Sequence, residues 1–198
     1  MIRFWLLISV LVLGIGSVSS GGELVTNGGF ESNSFSHWTG TATTDTGNGV
    51  VGKMSGIDPY ELTHQASFLN MDPETISQAL STTINDSETI SFALADYAGI
   101  NTDSFKVYFG GALLATISNP GSGYKTYSYN ATATSASTTL SFTMTNPQGT
   151  WLLDAVSVTQ SSAPVTVPEP STFALTCVAC VSGLGHALFR RRKGNLAV

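Results

Sequence analysis

Between residues 21 and 167 the chain contains no cysteine and no arginine. The first absence excludes a disulfide framework there, so a core has to hold this region together without covalent staples. The second leaves only Lys53, Lys106 and Lys125 against twelve carboxylates, a formal charge of −9. The −5 of the whole 198-residue chain conceals this, because a basic cluster near the C-terminus offsets it. Such a field disfavours nucleic acid and other polyanions, so no nucleic-acid partner is expected. Other absences narrow the chemistry further. No His/Cys cluster suggests zinc, and no glycine-rich strand-to-helix turn suggests a nucleotide. No Gly-x-Ser-x-Gly elbow accompanies His37 and His64. Asp58, Glu61, Asp72 and Glu74 can be paired on paper as a glycosidase couple, but among twelve acids some pair is always available. No enzyme is expected.

What the region does contain is Thr, Ser, Gly, Val and aromatics in short alternating runs, without a helical period. Ile90, Phe92 and Leu94 share one face of a strand, as do Phe105, Val107 and Phe109. Gly110-Gly111 predicts a two-residue hairpin into residues 112–117. Residues 124–129 place Tyr127 and Tyr129 on one face and Tyr124 on the other. Residues 76–81, 140–144 and 151–158 complete the set. Turn signals recur at Asn48-Gly49, Asn85-Asp86, Asn119-Pro120-Gly121 and Asn146-Pro147-Gln148-Gly149. Roughly ten short strands so spaced predict an all-β fold, an antiparallel β-sandwich of jelly-roll type over residues 21–160.

The two ends have a different character. Met1-Ile2-Arg3, an apolar stretch over 4–15 and the small residues Ser17-Val18-Ser19-Ser20-Gly21 read as a secretory signal peptide over residues 1–20. Cleavage after Ser19 and cleavage after Ser20 both fit. At the other end, residues 161–170 form a linker with three prolines, followed by a tail over 171–198. The 17 residues of 173–189 carry no formal charge. As a helix they span roughly 25 Å, near the lower limit for crossing a bilayer. Arg190, Arg191, Arg192 and Lys193 then form a basic stop that stays cytoplasmic. The domain is expected outside the inner membrane. Cys177 and Cys180 fall within this span, away from any redox or zinc setting.

Val167-Pro168-Glu169-Pro170 before an apolar segment and a basic cluster resembles the PEP-CTERM sorting tail of bacterial exported proteins. That resemblance implies processing by an exosortase-like membrane enzyme. It also implies an inner-membrane-anchored intermediate that ends at the cell surface or in the extracellular matrix. A second resemblance rests on Asn27-Gly28-Gly29-Phe30-Glu31, Trp38, residues 122–140 and the closing run Gly149-Thr150-Trp151-Leu152-Leu153-Asp154-Ala155-Val156-Ser157-Val158. These look like the β-sandwich domains found ahead of such tails, related in pattern to calcium-stabilised carbohydrate-binding modules. The similarity implies a structural calcium ion (Ca2+) held by Glu31 and Asp154, with carbonyls near Asn27 and Lys53. Ala155 departs from the Leu-Asp-Asp-Val ending usual in that group.

Sugar recognition needs exposed aromatic faces with amide or carboxylate groups alongside. Trp38, Tyr124, Tyr127 and Tyr129 are candidates by type, and Trp38 and Trp151 read as core residues. Tyr60 and Tyr97, in expected loops beside Asp58, Glu61 and Asp96, suit hydroxyl recognition better. The expected function is an exported surface or matrix protein whose sandwich weakly binds extracellular polysaccharide. The alternatives are a structural or adhesive surface protein and, last, a hydrolase.

Overall fold

The computed structural model describes residues 21–69, 71–98 and 102–161, all within one compact unit. The signal peptide, Pro-Glu-Pro motif, apolar span and basic stop expected from the sequence lie outside the described residues. Among the described residues no helix is long and apolar enough to cross a membrane.

Among the described residues nine strands form two sheets: β1 (Gly49–Val51), β2 (Gln65–Phe68), β3 (Glu74–Ser81), β4 (Ser87–Tyr97), β5 (Ser104–Phe109), β6 (Ala112–Ile117), β7 (Lys125–Thr132), β8 (Ser137–Thr145) and β9 (Thr150–Ser161). One sheet runs β1-β2-β9-β4-β7 and the other β3-β8-β5-β6, with every pairing antiparallel. Only β1–β2 and β5–β6 are joined within a sheet. Every other connection crosses between sheets, which places both inner faces around one core.

Period-two alternation selects the inner face. Ile90, Phe92 and Leu94 of β4 meet Phe105, Val107 and Phe109 of β5 and Leu140, Phe142 and Met144 of β8, all buried. Phe92 and Phe142 meet edge to face at 5.3 Å, and Tyr127 and Tyr129 stack on Phe92 at 5.4 and 6.2 Å. Offset and edge-on aromatic contacts of this kind add to the burial of ring area. Trp38 and Trp151 are both buried, and their indole N–H groups donate to Asn27 O and Thr145 O at 3.0 Å. The turn chemistry also holds. Gly110 and Gly111 both take positive φ, as a type I′ hairpin requires, and Asn85 does so at the β3–β4 turn.

β9 breaks strict alternation. Trp151 and Leu153 belong to the core, and so do Val156 and Val158, so the phase shifts by one residue between them. The register with β4 slips between Ser91 and Ala93, and Ala155 takes φ 50°. This is a β-bulge, with its extra residue in the left-handed region. Asp154 before it points away from the core, on the outer face of the five-stranded sheet.

Candidate functional site

That outer face is half covered. Ala93 and Ala95 of β4 and Leu152 and Asp154 of β9 are fully buried, yet the three apolar residues stand outside the core between the sheets. Their cover comes from Tyr124 and the loop 52–64. Tyr124 immediately precedes β7, and its hydroxyl donates to Gln65 Oε1 on β2. Its side chain and Gln65 therefore meet across β9 and β4, and alanine at 93 and 95 leaves the ring room. Burial, followed by the Asp154 charge, pushes the Tyr124 hydroxyl pKa far up, so it stays protonated and donating.

The loop is pinned at two places. Gln65 Nε2 donates to Gly52 O at 2.5 Å and Ile57 O at 3.3 Å, and Ser67 Oγ meets Met54 Sδ at 3.2 Å. Farther along, Asp154 Oδ2 accepts from Glu61 N at 3.0 Å, and Oδ1 from Ala155 N at 2.7 Å. Glu31 Oε1 accepts from Thr63 N at 3.1 Å and His64 N at 2.9 Å, while Oε2 takes the Thr63 hydroxyl at 2.7 Å. The N-terminal segment brings Glu31 there by running beside β9, with Leu24 N on Val158 O and Val156 N on Gly28 O. Glu31 and Asp154 lie close together: a Cβ on Gly29 would sit 3.8 Å from Asp154 Oδ1 and 3.8 Å from Glu31 Cγ.

Their electrostatics diverge. Burial pushes the Glu31 carboxyl up, but the Thr63 hydroxyl and the His64 and Thr63 N–H groups outweigh it and hold the pKa at about 2. For Asp154 burial wins over the Glu61, Ala155 and Tyr60 N–H groups and raises the pKa to about 6.

Of the residues expected to contact glycan, Tyr60 is 46% exposed and packs edge-on against Tyr124 with centroids 5.6 Å apart. Tyr97 is 37% exposed at the end of β4, on the same face as Ala93 and Ala95. Trp38, Tyr127 and Tyr129 are absorbed by the core or packed against it. Asp58 is paired with Lys53 at 3.0 Å, and Glu74 is buried against the Asn48 amide. Tyr124, an aromatic candidate by type and placed opposite Tyr127 and Tyr129, forms the floor under Tyr60. The sequence did not single out Leu62. Leu62, with φ 50° and 81% exposure, forms the loop tip.

Three of the groups expected around calcium accept protein donors. Glu31 and Asp154 do so as above, and Asn27 O takes Trp38 Nε1 and Phe30 N. Calcium requires six to eight oxygens turned towards one point. In this structure Glu31 and Asp154 accept backbone N–H groups and the Thr63 hydroxyl. Among the described residues no cluster of three or more His, Cys, Asp or Glu could hold a metal.

Solved carbohydrate-binding modules share this two-sheet sandwich. The chain is similar to TmCBM61 in complex with β-1,4-galactotriose at TM-score 0.54 and 14% identity, covering 70% of this chain and 99% of that one. It is similar to the CBM22-1 xylan-binding domain of Paenibacillus barcinonensis Xyn10C at TM-score 0.54 and 16% identity, over 73% and 97% of the two chains. Family 16 Carbohydrate Binding Module-2 aligns at TM-score 0.53 and 12% identity, over 68% and 98%. No protein-family model matches the chain, and neither does any curated protein.

Proposed function

We propose that this protein binds polysaccharide through the outer face around Tyr60, Tyr124 and Tyr97, without catalysis. The observation that carries the reading is the half-exposed Tyr60 ring braced on Tyr124, with the exposed Asp58 and Glu61 on the same loop. A pyranose ring stacks its apolar face on such an aromatic while its hydroxyls bond neighbouring carboxylates. The fold shared with carbohydrate-binding modules supports it. The polar, exposed setting suits weak binding of a long neutral chain rather than capture of a small molecule. In native gels containing β-1,4-galactan, xylan or the exopolysaccharide of the source bacterium, the protein should be retarded by at least one of them. Tyr60→Ala should weaken that binding by about tenfold, the equivalent of losing one aromatic contact, and Tyr97→Ala by less. No retardation in any of the three would favour the structural or adhesive reading.

The proposal extends to location. Residues 1–20 export the chain, and Val167, Pro168, Glu169 and Pro170 mark it for an exosortase-like enzyme. The apolar span with Arg190, Arg191, Arg192 and Lys193 holds it in the inner membrane until processing delivers it to the surface or matrix. Replacing Pro168, Glu169 and Pro170 with alanine should leave the tail attached in a host with the sorting enzyme. Release of that variant at the normal rate would refute the sorting role.

A further inference from the structure

Three non-glycine residues with left-handed backbone surround the Glu31–Asp154 pair. Phe30 (φ 56°) precedes Glu31, Ala155 (φ 50°) follows Asp154, and Leu62 (φ 50°) lies between the two groups of N–H donors that the acids hold. Bulky or β-carbon-bearing residues adopt this conformation at a cost, and it persists where the surroundings over-determine it. Phe30 is held by complete burial and by its stack on Trp38 at 5.8 Å. Leu62 has no such packing, being 81% exposed. What holds its backbone is the bonding on either side: Glu61 N to Asp154, and Thr63 N and His64 N to Glu31.

We propose that the backbone N–H groups of the 60–64 loop take the place of a cation at the Glu31–Asp154 pair, and that the two carboxylates act as positioning residues presenting Tyr60 and Leu62. Two neighbouring acids where the first segment meets the last strand need positive partners. Here N–H dipoles converge on them, and charge-assisted bonds of this type are stronger than neutral ones. The Thr63 hydroxyl donates to Glu31, and the Asn27 carbonyl accepts from Trp38 Nε1 and Phe30 N, so the Glu31, Asp154 and Asn27 oxygens each face a protein donor. The geometry also explains why Ala155 is tolerated where the resembled group carries a second acid: nothing in a hydrogen-bonded tether requires that charge. The consequence for ligand binding rests on the polysaccharide reading above, whereas the tether stands on its own geometry.

The test uses the full chain, comparing chelator with millimolar calcium chloride, and reads both thermal unfolding and amide hydrogen exchange at residues 61–64. The wild type should melt within about 1 °C under the two conditions, since a ligand that does not bind shifts nothing. Glu31→Ala should lower the melting temperature by about 5 °C and accelerate exchange at Thr63 and His64 by tenfold or more. Glu31→Gln should retain most of the protection, because its amide oxygen still accepts from both N–H groups and its Nε2 can donate to the Thr63 hydroxyl. A calcium ligand would behave in the opposite way, with Gln as damaging as Ala. A rise of several degrees with calcium, abolished equally in Glu31→Gln and Glu31→Ala, overturns the proposal. Unchanged exchange at 61–64 in Glu31→Ala overturns the positioning role. Tyr60→Ala should weaken polysaccharide binding and leave that exchange intact, whereas a wild-type protein that binds no polysaccharide while its 61–64 loop stays protected would locate the failure in the binding reading alone.

Discussion

Trp151→Ala is expected to lower the melting temperature by about 10–20 °C. The indole is fully buried on β9, opposite Phe68 of β2 on one side and Asp96 of β4 on the other. It packs on Phe105 of the opposing sheet at 5.4 Å and donates Nε1–H to Thr145 O at 3.0 Å. Emptying such a site costs about 3–5 kcal/mol in transfer and cavity terms. The orphaned Thr145 carbonyl adds about 1–3 kcal/mol if it stays dry. Against a typical total of roughly 5–15 kcal/mol, and with no disulfide between residues 21 and 167, the loss removes a large share of the stability. Trp151→Phe separates the two contributions: it keeps most of the ring and loses the donor, so about a third of the effect should remain. Thermal unfolding followed by circular dichroism measures both variants. A shift of only 2–3 °C for Trp151→Ala would mean that β9 does not close the core as described.

The same residue shows what the sequence made legible. Burial of Trp151 and Trp38 was expected because a tryptophan flanked by strand residues usually fills the core, and Tyr127 and Tyr129 separated from Tyr124 by simple alternation. The Gly110-Gly111 hairpin and the Asn85 turn were read from backbone preferences that act within two or three residues. The bulge at Ala155 was not legible, because alanine carries no signal for positive φ. Without it, a period of two assigns Val156 and Val158 to the face opposite Trp151 and Leu153. The site was legible only in its members. Tyr60 and Asp154 could be singled out by type, but the loop that joins them depends on bonds across sequence separations of 93 for Glu61–Asp154 and 32 for Thr63–Glu31. No local pattern reports such pairings. The expectation of calcium at Glu31 and Asp154 came from motif positions, which do not report the N–H donors that these carboxylates accept.

Non-local pairing also produces the second large effect, a stability that rises as the solution becomes more acidic. Asp96 at the end of β4 is 2% exposed and Asp103 at the start of β5 is 1% exposed. Asp96 Oδ1 accepts from Asn146 Nδ2 at 2.8 Å, while its Oδ2 is buried without a partner. Burial raises the Asp96 pKa to about 6; the Asn146 amide opposes this and the neighbouring Asp103 carboxyl adds to it. Because the folded value lies above the unfolded one of about 3.9, the folded state takes up the proton first. The stabilising contribution is complete below the unfolded pKa and is lost as pH rises through about 6. Asp154, also raised to about 6, acts with the same sign, and burial raises Glu74 and Glu88 in the same direction. Glu31 opposes them: its pKa of about 2 contributes stability above the usual glutamate range that is lost as pH falls towards that value. The melting temperature should therefore climb from pH 7.5 down to about pH 4–5 and turn over below it. Asp96→Asn keeps an acceptor for Asn146 and offers its own N–H to Asp103. It should melt several degrees above the wild type at pH 7.5 and show a shallower slope between pH 7.5 and 5. A wild-type melting temperature that falls on acidification through pH 6 would mean that the buried acids have charged partners in the native fold, and the Asp96–Asp103 contact would need another explanation.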